Sequence, residues 1–357
     1  MKSKVTSEVQ KAGAGGALKV KNLFVTGGSG KVGRSLLPEL VAAGYHVRAL
    51  EYKEPITCVQ AEILRGDVCD PTLAKRALAG MDAVIHLASC KGDRERFMET
   101  NIKGTFYLLD EVKRCGHIRQ FIHAGSDAQA GIYYHPRPFP IDETFPHAAY
   151  PGYYAFSKVL EEVMCEQYWI QYQTPITIAR LSWVHEKDDF LCHITLKEPN
   201  FGPPCWEGLA KTAKQKAYFK NRQDGVAKLV HPDSRPGIRH IVGIKDAVQG
   251  IIMCIGNPAA IGQAFAITGP SAFSYAVAAD YVAKQLNLPV VEFECPEYHD
   301  FSHNIAKARS FLGFNPQYDI FRIIDEGIAF RKSGGQRPAV KYFGFIAKNG
   351  VSNDKNK

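Results

Sequence analysis

The sequence predicts an α/β protein built on a doubly wound parallel sheet, with a smaller and irregular C-terminal lobe. Two observations lead to this fold class. Short apolar runs alternate with helical patterns from residue 22 to about residue 181, as βαβ crossovers require. The runs are apolar almost throughout, which is typical of strands covered on both faces, and this regular pattern weakens after residue 181.

The first strand–helix–strand unit has the clearest boundaries. Residues 23–25 form a short apolar run that predicts a buried strand. Apolar residues then recur at a helical period over 31–43, and Gly44 ends that helix as a glycine after a helix commonly does. A second strand is predicted at 46–50 and ends at Glu51.

The alternation continues along the chain. Further strands are predicted at 61–65, 83–87, 121–123 and 176–180. Helices are predicted at 71–79, 95–115 and 153–173. Residues 186–238 are rich in Pro, Gly and Lys, and we expect them to be irregular. Short elements return at 245–256, 263–268, 273–286 and 318–331.

The net charge of +8 lies at the two ends of the chain. Residues 1–20 contribute +3 and residues 332–357 contribute +5, so the 34 basic and 34 acidic residues between them balance. A nucleic-acid-binding domain needs a basic stripe on a folded face. The distribution of charge therefore argues against nucleic acid as a partner.

Cysteine usage and hydropathy indicate the compartment. No apolar run approaches the ~20 residues that span a bilayer, and residues 1–20 lack the apolar core of a secretory signal. The nine Cys are scattered without a CxxC pair, which indicates a reducing compartment. We expect a cytoplasmic protein that does not use a membrane. His185, Cys192 and His193 lack a recognised ligand spacing, so no metal is expected.

A glycine-rich turn lies between the first strand and the first helix. Its spacing, G-x-x-G-x-x-G, gives a tight turn, lets the backbone approach a pyrophosphate and packs the helix closely on the strand. The free N–H groups of the helix N-terminus attract the phosphates. The cofactor-binding residues predicted here are Gly27, Ser29, Gly30, Lys31, Val32 and Gly33. This context indicates a Rossmann-type dinucleotide site.

The residue at the end of the second strand indicates which dinucleotide binds. The carboxylate of Glu51 can accept hydrogen bonds from a ribose diol and repels a 2′-phosphate, which favours NAD over NADP. Lys31 and Arg34 beside the turn are basic, so NADP stays open as the less favoured cofactor.

Tyr154 and Lys158 are spaced to lie on one face of the helix predicted at 153–173. A free tyrosine, with a pKa of about 10, is a poor base at neutral pH. A cation one turn away and a positive nicotinamide ring both favour the phenolate form. Tyr154 is therefore the predicted general base, and Lys158 can also hydrogen-bond the cofactor ribose.

Five motifs together resemble a known family. They are TGGSGKVG at 26–33, Gly66-Asp67, His86-Leu87-Ala88, the segment 101–105 (NIKGT), and Tyr154 with Lys158. In this order they resemble the extended short-chain dehydrogenases/reductases of the NAD-dependent epimerase/dehydratase group, over roughly residues 22–331. The resemblance implies that Asp67 meets the adenine, that Leu87 and Ala88 line the dinucleotide, and that Asn101 supports the helix near the site.

The same resemblance completes the predicted site. Ser126 falls where the family has its catalytic Ser or Thr, and its hydroxyl would hold the substrate oxygen while Tyr154 moves the proton. Val68 is expected beside the cofactor. The substrate-binding residues expected in addition to Ser126 are Ser89, Asp127, Trp183 and Arg239. For Arg239 two interpretations stay open, namely contact with an acidic substrate and a structural ion pair with Asp246.

Departures from the family pattern narrow the chemistry. Ala128 replaces the second carboxylate of the sugar-nucleotide dehydratases, so elimination of water is not expected. Trp183 stands where many sugar-nucleotide epimerases have Asn, which weakens a nucleotide-sugar interpretation. The loop at 125–134 looks more like that of uronate dehydrogenases, which oxidise free sugars or sugar acids with NAD.

These inferences assign a function to each part of the chain. Residues 1–20 are expected to be a flexible leader, residues 21–181 an NAD-binding Rossmann domain, residues 182–331 a substrate lobe interleaved with the last Rossmann elements, and residues 332–357 a basic tail. The predicted function is NAD-dependent oxidation of a carbohydrate hydroxyl. The alternatives are an epimerase with tightly bound NAD and a non-catalytic NAD-binding scaffold. The resemblance also suggests a homodimer formed through helices 95–115 and 153–173.

Overall fold

A seven-stranded parallel sheet forms the centre of the molecule. The computed structural model describes residues 17–335, apart from residues 59, 92, 138–139 and 199. The strands are β1 (Asn22–Thr26), β2 (His46–Glu51), β3 (Glu62–Arg65), β4 (Ala83–His86), β5 (Gln120–Ser126), β6 (Ile176–Leu181) and β11 (Gln263–Ile267). Their order in the sheet is β11-β6-β5-β4-β1-β2-β3, and every pair is parallel. The predicted doubly wound α/β fold is confirmed.

Helices cover both faces of this sheet. They include α1 (Lys31–Ala42), α2 (Leu73–Leu78), α4 (Gly104–Cys115), α5 (Tyr153–Tyr172), α9 (Ile244–Cys254) and α11 (Ala306–Leu312). Successive residues of a strand point to opposite faces. Leu23 and Val25 of β1 therefore pack in one core with α1 and α9, whereas Phe24 packs in the other core with α2 and α4.

The helix predicted at 95–115 is divided into three segments. α3 (Arg94–Phe97) is followed by a π-helical segment, Met98–Lys103, and then by α4. The prediction of a helix over 95–115 is confirmed as a helical stretch, in which residues 98–103 are π-helical instead of α-helical. Gly104 begins α4 where a Cβ would lie 2.7 Å from a methyl carbon of Val68, so the segment packs closely on the loop after β3. π-Segments inside helices are frequent at functional sites.

The C-terminal part after β6 is more regular than predicted. It contains the strands β7 (Trp183–His185), β8 (Val226–Val230), β9 (Ile238–Arg239), β10 (Ile241–Gly243), β12 (Phe273–Ser274) and β13 (Val290–Glu294). Its remaining helices are α6 (Asp189–Ile194), α7 (Trp206–Leu209), α8 (Ala213–Lys220), α10 (Tyr275–Leu286) and α12 (Ile320–Lys332). The prediction of irregular structure over 186–238 was therefore wrong for α6, α7, α8 and β8. Large buried side chains, among them Trp206 and Tyr275, form its core.

Parts of the expected organisation fall beyond the described structure. Residues 1–16 of the expected leader and residues 336–357 of the expected tail lie outside the described residues. Within the described part of the chain, no helix is long and apolar enough to cross a membrane. The boundary expected at residue 181 coincides with the end of β6.

Candidate active site

The glycine turn fits closely between its neighbours. Gly27 has φ +70°, and a Cβ there would lie 2.8 Å from the backbone nitrogen of Ala88. A Cβ on Gly33 would lie 2.6 Å from the Cα of Gly28, so the first turn of α1 can only pack here with glycine. The N–H of Gly30 donates to the Gly27 carbonyl at 3.0 Å. No side chain of the described residues caps the N-terminus of α1, which fits an anion in that position.

The ends of β1 and β4 are joined beside this turn. The Thr26 hydroxyl oxygen accepts the N–H groups of Leu87 and Ala88 at 3.1 Å each, and it lies 2.7 Å from Nδ1 of His86. His86 is fully buried, and its other ring nitrogen lies 3.0 Å from the hydroxyl of Thr105. This side-chain network fixes Leu87 and Ala88 next to the glycine turn, where the sequence predicts the dinucleotide.

The basic residues of α1 point toward the C-terminal part of the chain. The ammonium of Lys31 donates to the carboxylate of Asp189 and lies 4.5 Å from the ring centroid of Phe201. Arg34 pairs with Glu186 at 3.2 Å. The side chains of Lys31 and Arg34 therefore have partners in or beside α6, although their backbone remains part of the glycine turn and helix start.

Two acidic residues at the ends of β2 and β3 have basic neighbours. Glu51 accepts the N–H of Ile56 and the Nε–H of Arg65, each at 2.9 Å, and these bonds hold the pKa of Glu51 below its ordinary value. Asp67 accepts a hydrogen bond from Arg96 at 3.0 Å. Burial acts to raise the pKa of Asp67, but its hydrogen bonds, including the one from Arg96, outweigh burial and lower it. Val68, which follows, is buried.

Ser126 and Asp127 lie at the carboxyl end of β5. The Ser126 hydroxyl accepts the N–H of Ala128 at 3.2 Å and donates to Oδ1 of Asp127 at 3.3 Å. The other carboxylate oxygen of Asp127 lies 3.8 Å from Nε2 of His303, which comes from the segment before α11. All three side chains are buried or nearly so. His303 was not predicted, because its proximity to Ser126 depends on the tertiary fold.

Tyr154 and Lys158 lie together at the start of α5. The ammonium of Lys158 is 5.9 Å from the ring centroid of Tyr154. It donates to the Ala124 carbonyl at 3.1 Å and to the Glu161 carboxylate at 2.8 Å. A second cation, the Lys91 ammonium, lies 5.1 Å from the Tyr154 ring centroid. The sequence predicted the pair but missed Lys91 and Glu161.

Asn101 links the π-segment to α5. Its side-chain amide donates to the Cys90 carbonyl at 2.9 Å and to the Ser157 hydroxyl at 2.8 Å, while its oxygen accepts the Cys90 N–H at 2.7 Å. The Ser157 hydroxyl in turn donates to the Tyr154 carbonyl at 2.9 Å. Asn101 thus holds the first turn of α5 against the loop after β4. The Ser89 hydroxyl in that loop is buried without a hydrogen-bond partner among the described residues.

Arg239 is buried among aromatic rings. Its guanidinium carbon lies 3.8 Å from the ring centroid of Trp183 and 5.4 Å from that of Tyr133. It donates to the Pro203 carbonyl at 2.7 Å and to the Tyr275 hydroxyl at 3.3 Å, and its Nε has no hydrogen-bond partner among the described residues.

The structural ion pair considered for Arg239 is not formed. The Asp246 carboxylate instead accepts the backbone N–H groups of Gln317 and Tyr318 at 2.8 to 3.0 Å. Burial acts to lower the pKa of the Arg239 guanidinium, whereas Tyr298, Tyr275 and Tyr133 act to raise it, and no carboxylate of the described residues forms an ion pair with it. This buried cation therefore has an unused capacity to bind an anion.

A family model for this region settles the relationship. It describes the NAD dependent epimerase/dehydratase family and matches residues 23–185. Residues 23–185 belong to this family. The resemblance inferred from the five motifs is confirmed, and NAD is the cofactor on which the family depends.

Individual relatives differ in the reactions that their names state. This chain is 31% identical over 163 residues to the 2-alkyl-3-oxoalkanoate reductase of Shewanella oneidensis, covering 42% of this chain and 39% of the relative. It is 28% identical over 159 residues to the UDP-glucose 4-epimerase of Haemophilus influenzae, covering 39% of this chain and 46% of the relative. The alignments with the first curated relatives span only 37 to 52% of their lengths.

The fold extends beyond the matched region. A short-chain dehydrogenase/reductase superfamily protein from Agrobacterium tumefaciens, solved with bound NAD, superimposes with a TM-score of 0.76. The match covers 88% of this chain and 98% of that protein at 23% sequence identity. The similarity shows that the C-terminal part completes the same fold.

One cluster outside the predicted site has potential metal ligands. His147, Glu162 and Glu166 bring one ligand atom each within 4.8 Å of one another. However, Arg180 donates to Glu162 at 2.7 Å and supplies a positive charge there. Both ring nitrogens of His193 already have hydrogen-bonding neighbours. One lies 2.9 Å from the Phe201 carbonyl and the other lies 2.8 Å from the Tyr275 hydroxyl.

Proposed function

We propose that the protein is an NAD-dependent oxidoreductase that oxidises a hydroxyl group of a sugar or sugar acid. The observation that carries the proposal is the pairing of Tyr154 with Lys158 at the start of α5, where the Lys158 ammonium donates to the Ala124 carbonyl of β5, the strand that ends at Ser126. The close-packed glycine turn, which has no room for a Cβ at Gly33, supports a pyrophosphate at the N-terminus of α1.

In this proposal each residue of the group has a separate task. The Ser126 hydroxyl holds the substrate oxygen, and the Tyr154 phenolate removes the hydroxyl proton. Lys158 favours the phenolate through its charge and binds the ribose. NAD, when bound, supplies the hydride acceptor. Asn101 keeps the first turn of α5 in place through Ser157.

The remaining predicted contacts belong to the same proposal. Glu51 and Asp67 would bind the adenosine half of the cofactor, with Val68, Leu87 and Ala88 lining the cleft. Ser89 and Asp127 would contact the substrate, and the C-terminal part of the chain would enclose it.

Arg239 favours an acidic substrate. A buried guanidinium without a carboxylate partner is costly, and a substrate carboxylate would offset that cost with charge-assisted hydrogen bonds. Trp183 would hold the guanidinium in place, because its ring packs on Arg239 and stacks on Phe201 at 5.1 Å between ring centroids, while the Ser126 hydroxyl would meet a substrate hydroxyl. A uronate, which carries both a carboxylate and sugar hydroxyls, fits this combination.

An epimerase with tightly bound NAD is the second candidate. It is favoured by the similarity to the UDP-glucose 4-epimerase of Haemophilus influenzae. An epimerase oxidises and re-reduces one substrate, so no reduced cofactor accumulates. A cofactor that survives desalting of the purified protein, without net reduction on adding a sugar, would favour this candidate. A non-catalytic NAD-binding scaffold would bind cofactor but turn over no substrate.

Net oxidation can be measured directly. The purified protein is incubated with NAD and a panel of neutral sugars and uronates, and reduced cofactor is followed by its absorbance. Tyr154→Phe should abolish turnover and retain NAD binding, whereas the control Tyr153→Phe, an exposed neighbour, should stay active. Turnover by Tyr154→Phe would contradict the assignment of the base.

A homodimer is part of the proposal. Phe106 on α4 and Phe156 on α5 leave large apolar side chains 43% and 48% exposed. Pairing of two copies through these helices would bury them. Light scattering should report a dimer that Phe156→Glu dissociates, while Phe311→Glu on α11, at a similarly exposed site, should not.

A further inference from the structure

Three buried ionisable side chains form a row behind Tyr154. The Lys158 ammonium donates to Oε2 of Glu161 at 2.8 Å, and the same oxygen lies 3.3 Å from Nε2 of His123. Glu161 and His123 are completely buried, and Lys158 is 4% exposed. Glu161 is one helical turn beyond Lys158, and His123 reaches it from β5.

The surroundings leave Glu161 as the counter-charge of Lys158. On α5, Cys165 follows one turn later, and Tyr154 precedes Lys158 by one turn. From β5 the Ala124 carbonyl accepts from Lys158, and from β4 the His86 ring lies 5.8 Å from that of His123. The neighbouring acid, Glu162, forms an ion pair with Arg180 instead. The second cation nearby, the Lys91 ammonium, lies 5.1 Å from the centroid of the Tyr154 ring.

The opposite charges of Lys158 and Glu161 stabilise one another. Burial disfavours the ammonium, but the negative charge of Glu161, the neighbouring Tyr154 and the hydrogen bond to Glu161 together outweigh burial and hold the pKa of Lys158 above its ordinary value. Burial likewise disfavours the carboxylate, yet Lys158 and His123 lower the pKa of Glu161 to about 2. Without Glu161, the buried ammonium would keep, among the described residues, only the Ala124 carbonyl oxygen as its hydrogen-bond partner.

We propose that Glu161 is a positioning residue that keeps Lys158 protonated and directed at the cofactor ribose, with the His123 ring 3.3 Å from the carboxylate on its other side. The proposal rests on the proposed function, since it takes Lys158 to be a cofactor ligand. It adds a residue that the family motif of Tyr154 and Lys158 does not include. Glu161 acts through Lys158 and need not touch the cofactor or the substrate.

The test is the affinity for NAD as a function of pH. The dissociation constant is measured by calorimetry for the wild type, Glu161→Gln and the control Glu166→Gln, which removes the same charge from a more exposed position of α5. In Glu161→Gln, Lys158 loses its counter-charge and deprotonates at a lower pH. Its affinity should then fall by up to about tenfold per pH unit above that point. The wild type and the control should keep their affinity over the same range.

The outcomes separate this proposal from the proposed function. If neither the wild type nor either variant binds NAD at any pH, the proposed function is wrong. If all bind NAD and Glu161→Gln has the wild-type pH profile, the role of Glu161 is wrong. The same holds if Glu161→Gln and Glu166→Gln change the profile equally.

A stability cycle covers the case in which Glu161→Gln folds but is too unstable for calorimetry. Unfolding by denaturant is measured for Lys158→Met, Glu161→Gln and the double variant. Because each single change leaves one buried charge uncompensated, the double variant should lose less stability than the two single losses added together. Additive losses would overturn the proposal, as would a double variant that fails to fold while Lys158→Met folds.

Discussion

Replacing Arg239 with Met should separate substrate binding from stability. The guanidinium would lose two hydrogen bonds and its contact with Trp183 at 3.8 Å. Hydrogen bonds to charged groups contribute about 1.5–3 kcal/mol, and a desolvated cation–π contact about 2 kcal/mol. Removing a buried ion that has no ion-pair partner also removes its desolvation penalty of several kcal/mol. These contributions oppose each other, so the free energy of unfolding should fall by less than the lost contacts alone would cost.

Substrate binding has no such compensation. If Arg239 binds the carboxylate of a sugar acid, losing about 1.5–3 kcal/mol raises KM for that acid roughly 10- to 150-fold. KM for a neutral sugar should change little. Denaturant unfolding and steady-state kinetics with a uronate and its neutral parent sugar measure the two effects.

Arg180→Met is the matched control, because it removes a buried arginine that has a carboxylate partner. Arg180→Met leaves the buried carboxylate of Glu162 without its partner, which should cost about 3–5 kcal/mol. If Arg239→Met destabilises the protein as much as Arg180→Met, Arg239 is a structural residue. An equal rise in KM for the acid and the neutral sugar would refute the carboxylate contact.

Three further predictions concern the cofactor cleft and the buried pair. Gly33→Ala should abolish NAD binding because its Cβ would meet the glycine turn, whereas Gly208→Ala on α7, whose Cβ would come no closer than 3.9 Å to Cys205, should retain binding in the same titration. Glu51→Ser should narrow the preference for NAD over NADP, since Arg65 would lose its carboxylate and face a 2′-phosphate; the ratio of the two dissociation constants measures this. The pKa of Glu161 is lowered by folding to about 2, so its contribution to stability is present above the ordinary value of 4.5 and is lost as pH falls through about 2. Acid unfolding of the wild type should therefore lose more stability between these values than that of Glu161→Gln; equal losses would contradict this.

The sheet was predictable because its signals are local. Each strand of the N-terminal region is a short apolar run, and Gly27, Gly30 and Gly33 mark the turn between β1 and α1. The π-segment could not be predicted, because it depends on contacts between distant parts of the chain. Asn101 bonds to Cys90 and Ser157, and no single stretch of sequence contains these partners.

The residues of the candidate site also divide into those that local sequence predicts and those that only the tertiary fold brings together. Tyr154 and Lys158 are four residues apart on one helix, so their proximity follows from spacing alone. Glu161 had the same kind of signal, three residues beyond Lys158, and could have been found. His123 and His303 had none, since a strand and a distant segment bring them to Glu161 and Asp127. The absence of an ion pair between Arg239 and Asp246 likewise follows from the tertiary fold, in which Asp246 accepts backbone N–H groups of Gln317 and Tyr318.

The two-sided packing of β1 has a consequence for unfolding. Leu23 and Val25 belong to one apolar core and Phe24 to the other, although the three residues are adjacent. Loosening either core would strip β1 of half its contacts and expose the backbone amides that it shares with β2 and β4. The two helical layers should therefore melt as one cooperative unit, and the amides of β1 should be among the last to exchange with solvent.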